Sequence, residues 1–240
     1  MFSRRHRAAA VLLTGTFTLT ALSACSGDDG EKDTSRDWSE AGPKAADLLD
    51  ETSGVTLRLS TDDDPGVDYL SSATGTVIAE PPAFEGTVNG SVSGIPVTDV
   101  PVISVDDTMW INYALLGGWS DQFKPADLCA PDPALLLDPD AGISTVLTGT
   151  EDVKTGKRER GGKDNKETFQ TYSGTATGDA VRSILPCAEG DAFDATYTVD
   201  DDGRLRTARL TGVFFPDAES VTYTIDVTEY GVTKDITAPR

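Results

Sequence analysis

The chain has 240 residues, with 20 Lys and Arg against 40 Asp and Glu, for a formal net charge of −20. So acidic a chain repels nucleic-acid phosphates, whose binding depends on basic side chains neutralising them, and no nucleic acid is expected as a partner. The single histidine, His6, stands in the first ten residues, so a cleaved leader would remove the commonest general base and metal ligand.

Arg4, Arg5 and Arg7 precede an apolar run at 8–21, and no acid occurs before Asp28. This is the layout of an export signal. The run is shorter than the roughly 20 residues that a helix needs to span about 30 Å of hydrocarbon. Leu22-Ser23-Ala24-Cys25 then resembles the lipobox of bacterial lipoproteins. That resemblance implies cleavage before Cys25, diacylation of its sulfur and a lipid anchor at the outer face of the cell membrane. Residues 1–24 are thus expected to be a lipoprotein signal peptide. Arg4-Arg5 hints at twin-arginine export, but Arg7 stands where that motif wants an apolar residue. Without the three leader arginines, 17 basic residues face 40 acids, a net of −23.

Residues 26–37 contain no apolar side chain. Nothing there offsets the entropy of ordering, so 25–37 is expected to be a flexible acidic tether. The remaining 38–240 suit a single domain with a real core. Pro43 opens a short helix in which Ala45, Ala46, Leu48 and Leu49 share a face, ended by Ser53-Gly54. From Val55 the period becomes two, with Val55, Leu57 and Leu59 alternating with Thr56, Arg58 and Ser60. Further strands are expected at 69–79, 84–92, 97–105 and 108–113. Asp62 to Gly66, Pro81-Pro82, Gly94 to Pro96 and Asp106-Asp107 punctuate them as turns.

The middle is different. Residues 131–147 predict two helical pieces divided by Asp138-Pro139-Asp140, rich in Leu135, Leu136, Leu137, Ile143, Val146 and Leu147. A strand at 168–175, a short helix at 178–185 and strands at 193–199, 205–215 and 221–227 complete the chain, with Asp200-Asp201-Asp202-Gly203 as a hairpin turn. About eight antiparallel strands carry one apolar face, and the inserted helices are short for the area they must cover. Whether that face is filled or hollow is open at this stage.

Chemistry-bearing patterns are few. Gly156 to Lys163 lacks the Lys and Ser/Thr order of a phosphate loop. Lys154, Lys157, Arg158, Arg160, Lys163 and Lys166 read instead as a solvated loop, with contact to anionic headgroups as the alternative. Gly90 to Gly94 is out of register for a nucleophile elbow, and without histidine the usual triad cannot form. The Asp138/Asp140 and Asp200–Asp202 groups lack the spacing of a calcium loop, and Asp is common in turns. Cys129 and Cys187, an isolated pair in an exported chain, read as a disulfide. No catalytic residue, metal or cofactor is implied.

Two stretches carry a resemblance. Asp132 to Gly142, with Ile143, Val146 and Leu147 after it, resembles the helical D-P-x-x-x-L-x-P-x-x-G motif of the LppX/LprA/LprF/LprG family of actinobacterial lipid-carrying lipoproteins. Trp119-Ser120-Asp121 resembles the family's W-S-D element, and the likeness runs from about residue 40 to Pro239. The Cys129–Cys187 pair departs from the mycobacterial pattern. The resemblance implies an α+β fold: a curved antiparallel sheet, or half-barrel, with short helices on its concave face enclosing an apolar cavity. That cavity would hold an acyl lipid or glycolipid carried outward from the membrane, with a membrane transporter as a candidate partner. Strand phase and helix period nominate Val55, Leu57, Leu59, Val88, Val92, Met109, Ile111, Leu136, Ile143, Leu147, Ile184, Val221, Tyr223 and Ile225 as its lining. An anchored structural or interaction module with a filled core is the alternative, and an envelope hydrolase is disfavoured.

Overall fold

In the computed structural model, residues 36–162 and 165–240 are described. The expected signal peptide, Cys25 and residues 26–35 lie outside the described residues. The chain opens with α1 (Trp38–Asp50), then β1 (Gly54–Ser60), β2 (Tyr69–Ile78), β3 (Ala83–Val92), β4 (Ile95–Val105), β5 (Thr108–Tyr113) and β6 (Gly118–Ser120). Short 3-10 turns and α2 (Ile143–Thr148) lead to β7 (Thr150–Gly161), β8 (Glu167–Thr177), α3 (Gly178–Ile184), β9 (Ala192–Asp200), β10 (Leu205–Gly212) and β11 (Val221–Tyr230). All strands join one antiparallel sheet, ordered β6-β5-β4-β3-β2-β1-β11-β10-β9-β8-β7. Two meanders thus meet where the first strand pairs with the last, and the sheet stays open between β6 and β7. The result is the expected half-barrel.

Register explains the curvature. Paired residues of antiparallel strands share a face, so Val55, Val77, Phe84, Ser104 and Met109 form one inward row. Leu59, Ile225, Ala208, Tyr197 and Tyr172 form another. Gly75 and Gly86 face each other between Leu57 and Val102, and a Cβ on Gly75 would stand 2.5 Å from the Phe84 ring. Small residues at that crossing let the ring lie across both strands. On the outer face Ile78, Ala83 and Val105 gather Ile103 and Trp110, and Val232 and Ile236 of the C-terminal segment cover them. Lys234 Nζ lies 2.9 Å from Glu85 on the same face.

The first helix begins earlier than expected. Asp37 caps it, its Oδ1 accepting from the Ser39 amide at 3.0 Å, and Pro43 lies inside rather than at the start. Trp38 anchors this extra turn by stacking on Tyr197 at 5.1 Å and tilting against Tyr172 at 5.1 Å. Arg36, assigned above to the tether, is held too: it donates to the Asp201 carbonyl at 2.8 Å, and the Tyr172 hydroxyl donates to its carbonyl at 3.0 Å. The domain therefore begins no later than Arg36. The burial under α1 has a titration consequence. Burial pushes the Tyr197 phenol up to about 12 and, as the first cause, raises Tyr172, Tyr223 and Tyr230. A raised folded-state pKa favours the neutral form, so this stability is fully present below the unfolded tyrosine value of about 10. It is lost as pH rises through about 12 for Tyr197. Circular dichroism is expected to show unfolding set in between about pH 10 and that value; equal stability on both sides of the window would contradict burial of these phenols.

The 131–147 region resolves into a 3-10 turn at Pro133–Leu135 followed by α2. Asp132 caps the turn, accepting from the Ala134 amide at 3.0 Å, and also accepts from the Ser104 hydroxyl at 3.3 Å, tying the turn to β4. A Cβ at Gly142 would stand 2.7 Å from the Leu136 carbonyl. The glycine of the motif is thus required by close backbone approach. α1 packs on α2 and α2 on α3, so the three helices cover the inner rows. Two strands were not foreseen. β6 has three residues, too few for a periodic signal. β7 replaces the expected basic loop: its residues from Lys154 to Arg160 are exposed on both faces, so no apolar alternation marks it. The side chains are solvated as expected; the backbone is an edge strand.

Candidate functional site

Beneath the helices the sheet and its cover do not fully meet. An apolar cleft with a volume of about 100 Å3 opens there. The sheet contributes Leu59, Leu70, Leu210, Tyr223 and Ile225; the cover contributes Val146 of α2 and Val181 and Ile184 of α3. Leu185 follows α3, and Cys129, Ala130 and Pro131 close one side. The polar tip of Tyr223 is satisfied, donating to the Leu70 carbonyl at 2.8 Å. No lining side chain is charged, so the walls offer a guest apolar contact and little else.

Of the residues nominated from sequence, Leu59, Ile184, Tyr223 and Ile225 line this cleft. Val55, Leu57, Met109, Leu136, Ile143, Leu147 and Val221 are buried in the surrounding core, with Val88 and Ile111 packed against it. They share the inward face but sit where helices or neighbouring strands already cover it. Val92 is a correction. It is 47% exposed at the tip of the β3–β4 hairpin, paired with Ile95 at 57%. A register shift between Val88 and Gly90 carries the tip past the helical cover.

Several lining residues escaped the sequence reading. Phe214 and Phe215 are adjacent, so alternation along a strand to residue 215 would have put them on opposite faces. β10 ends at Gly212, and both rings turn into the core. Phe214 tilts on Phe193 at 4.8 Å and meets Tyr223 edge-on at 5.1 Å. Leu70 stands beside a second shift, between Leu70 and Ser72. The disulfide at the rim is formed between Cys129 and Cys187, with a Cα separation of 5.8 Å. Cys129 adopts φ +49, which places it in the left-handed region after the turn Pro125–Leu128.

The rim beside Leu59 and Leu70 is acidic. Asp62, Asp63, Asp64 and Asp68 lie in the β1–β2 connection, with no basic residue among 61–68. The Ser93 and Gly94 amides donate to Asp68 at 2.6 and 3.0 Å, and these bonds hold its carboxyl below the ordinary range. Asp63 accepts from the Thr222 amide at 2.7 Å. Elsewhere the acids suspected of cation binding serve as turn acceptors: Asp138 takes the Asp140 and Ala141 amides at 2.9 and 3.0 Å, and Asp200 takes the Asp202 and Arg204 amides at 3.0 and 2.8 Å. Among the described residues, no group of three or more His, Cys, Asp or Glu is arranged to hold a metal.

Comparison with known proteins agrees with this architecture. The lipoarabinomannan carrier protein LprG of Mycolicibacterium hassiacum is 29% identical over 97% of this chain and 98% of its own length. LprG of Mycobacterium bovis BCG is 29% identical over 82% of this chain and 79% of its own. The crystal structure of LprF from Mycobacterium bovis superposes with a TM-score of 0.67 at 16% identity, over 84% of this chain and 96% of that one. LppX of Mycobacterium tuberculosis gives 0.59 at 17% identity, over 82% and 96%. The model of the LppX_LprAFG lipoprotein family matches residues 40–237, and the chain belongs to that family.

Proposed function

We propose that this chain is a membrane-anchored, non-enzymatic carrier that takes an acyl chain of a lipid or lipoglycan into the cleft and moves it across the extracytoplasmic space. The observation that carries this reading is the cleft itself: lined by apolar, uncharged side chains, with its one hydroxyl already bonded. Exposing a diacyl lipid to water leaves about 30 methylenes unshielded, at roughly 0.8 kcal/mol each. Apolar walls with an opening are all that shielding requires. The relatives' name as lipoarabinomannan carriers supports a lipoglycan among the candidate guests. In this reading residues 1–24 are removed, Cys25 bears the diacylglycerol anchor at the outer face of the membrane, residues 25–35 form the tether, and a transporter delivers or receives the lipid. The cleft as it stands is too small for a whole acyl lipid, so a long or second chain would need the helical cover to move.

The test is native mass spectrometry of the acylated chain, followed by organic extraction. Extractable acyl lipid near one per chain, over and above the covalent anchor, is expected. A chain with no extractable lipid and no uptake of added phospholipid or lipoglycan would reduce the cleft to a packing gap and leave an anchored structural module.

A further inference from the structure

The cleft and the entry of the chain lie at opposite ends of the sheet. Leu210 and Tyr223 line the cleft near the Gly212–Val221 end of β10 and β11, while the Asp200–Arg204 hairpin closes the other end of β10. Eight residues of strand separate these ends by about 25 Å. Arg36 is fixed at the hairpin end through the Asp201 carbonyl. A chain coming from Cys25 therefore reaches the domain on the side away from the cleft, after a span of at most about 40 Å.

The later part of the free edge of β7, Arg158 to Gly161, borders that same end, while Lys154 stands further along the strand, level with Arg209. Residues 154–161 carry Lys154, Lys157, Arg158 and Arg160 against Glu159 alone, all exposed, and Arg158 pairs with Asp201 in the hairpin. The acids of the hairpin itself are engaged: Asp200 in the turn, Asp201 with Arg158, and Asp202 with Arg204 at 3.6 Å. The cleft end has the opposite sign. The 61–68 loop holds four acids and no base, and Asp217 and Glu219 stand unaccompanied by a base in the β10–β11 connection. The basic stretch of β7 stands out in a chain with twice as many acids as bases, while the 79–82 and 106–107 turns bring Glu80, Asp106 and Asp107 to the same end of the sheet on its other half.

We propose that the basic edge of β7 docks on the anionic headgroups of the membrane that holds the anchor, and that this contact turns the mouth of the cleft away from that membrane. The proposal rests on the reading of Cys25 as the anchor. Each cation near an anionic leaflet strengthens such a contact by about fivefold, while the acidic rim is repelled from the same surface. A tethered domain starts with its cations already within reach of the headgroups, so a weak surface suffices to orient it. Loading from the membrane then requires the domain to leave this pose, and a high-salt or low-charge membrane would release it.

The test uses the full acylated chain in vesicles of phosphatidylcholine alone or with about one third phosphatidylglycerol. Hydrogen exchange is followed by mass spectrometry over 150–161 and 61–68. Exchange at 150–161 is expected to slow at least about fivefold in the anionic vesicles, with 61–68 unchanged. The protection should vanish near 1 M salt, where the screening length falls to about 3 Å, and in a Lys154→Glu/Lys157→Glu/Arg160→Glu chain. Equal exchange in both vesicles, or protection moving to 61–68, overturns the proposal while leaving the anchor intact. A chain that fails to float with either vesicle overturns the anchor and the proposal together. Lipid carriage is read separately, from extractable lipid, and is untouched by either result.

Discussion

An Ile184→Trp chain is expected to bind acyl lipid roughly ten- to two-hundred-fold more weakly than the native chain while melting within a few degrees of it. Ile184 is the last residue of α3, half-buried, with its side chain on the cleft. An indole there fills space that a guest would occupy. Excluding on the order of two to four methylenes at about 0.8 kcal/mol each accounts for the loss. Stability should change little, because the larger ring enters open space rather than close-packed core, where overpacking costs about 1–3 kcal/mol. Val92→Asp provides the contrast: Val92 is 47% exposed on the β3–β4 tip, so uptake should be unaffected. Lipid-to-protein ratios from native mass spectra check both. Undiminished occupancy in Ile184→Trp would mean that the acyl chain sits elsewhere.

The contrast between Ile184 and Val92 also marks how far the sequence could be read. Strand period located most of the strands because their inward residues alternate with polar ones, and the same period gave the inward face of Val55, Leu57 and Leu59. It could not separate cleft from core, since those three differ only in what lies over them. Val55 and Leu57 are buried, whereas Leu59 reaches the end of the cover and lines the cleft. Irregularities defeated it altogether. Val92 follows one register shift, Leu70 adjoins another, and the Phe214–Phe215 pair lies past the end of β10. β7 escaped for the opposite reason: wet on both faces, it has no apolar period, and its charges protect an edge that would otherwise invite pairing with other chains. The start of α1 was misread because Pro43 looks like a first-turn proline, whereas Asp37 and the stacking of Trp38 set the boundary five residues earlier.

Removing the staple is the second large effect. A Cys129→Ser/Cys187→Ser chain is expected to lose on the order of 4 kcal/mol, because 58 residues separate the two cysteines and the loop they close no longer restrains the unfolded chain. For a domain near 200 residues, at roughly 2–4 °C per kcal/mol, the melting temperature should fall by about 8–16 °C. The cleft should respond as well. Cys129, Ala130 and Pro131 form one of its walls, and the bond fastens that wall to the segment after α3, where the Cys187 sulfur lies 4.0 Å from the Phe214 carbonyl. With the wall released, a guest with two chains should enter more readily, so the ratio of diacyl phospholipid to single-chain fatty acid taken up should rise at temperatures well below the melt. Thermal unfolding by circular dichroism, paired with uptake of both lipids, measures the two consequences on one sample. An unchanged melting temperature would mean that the loop is restrained by other contacts in the unfolded chain. An unchanged lipid ratio would mean that the helices, and not the stapled wall, set the width of the cleft.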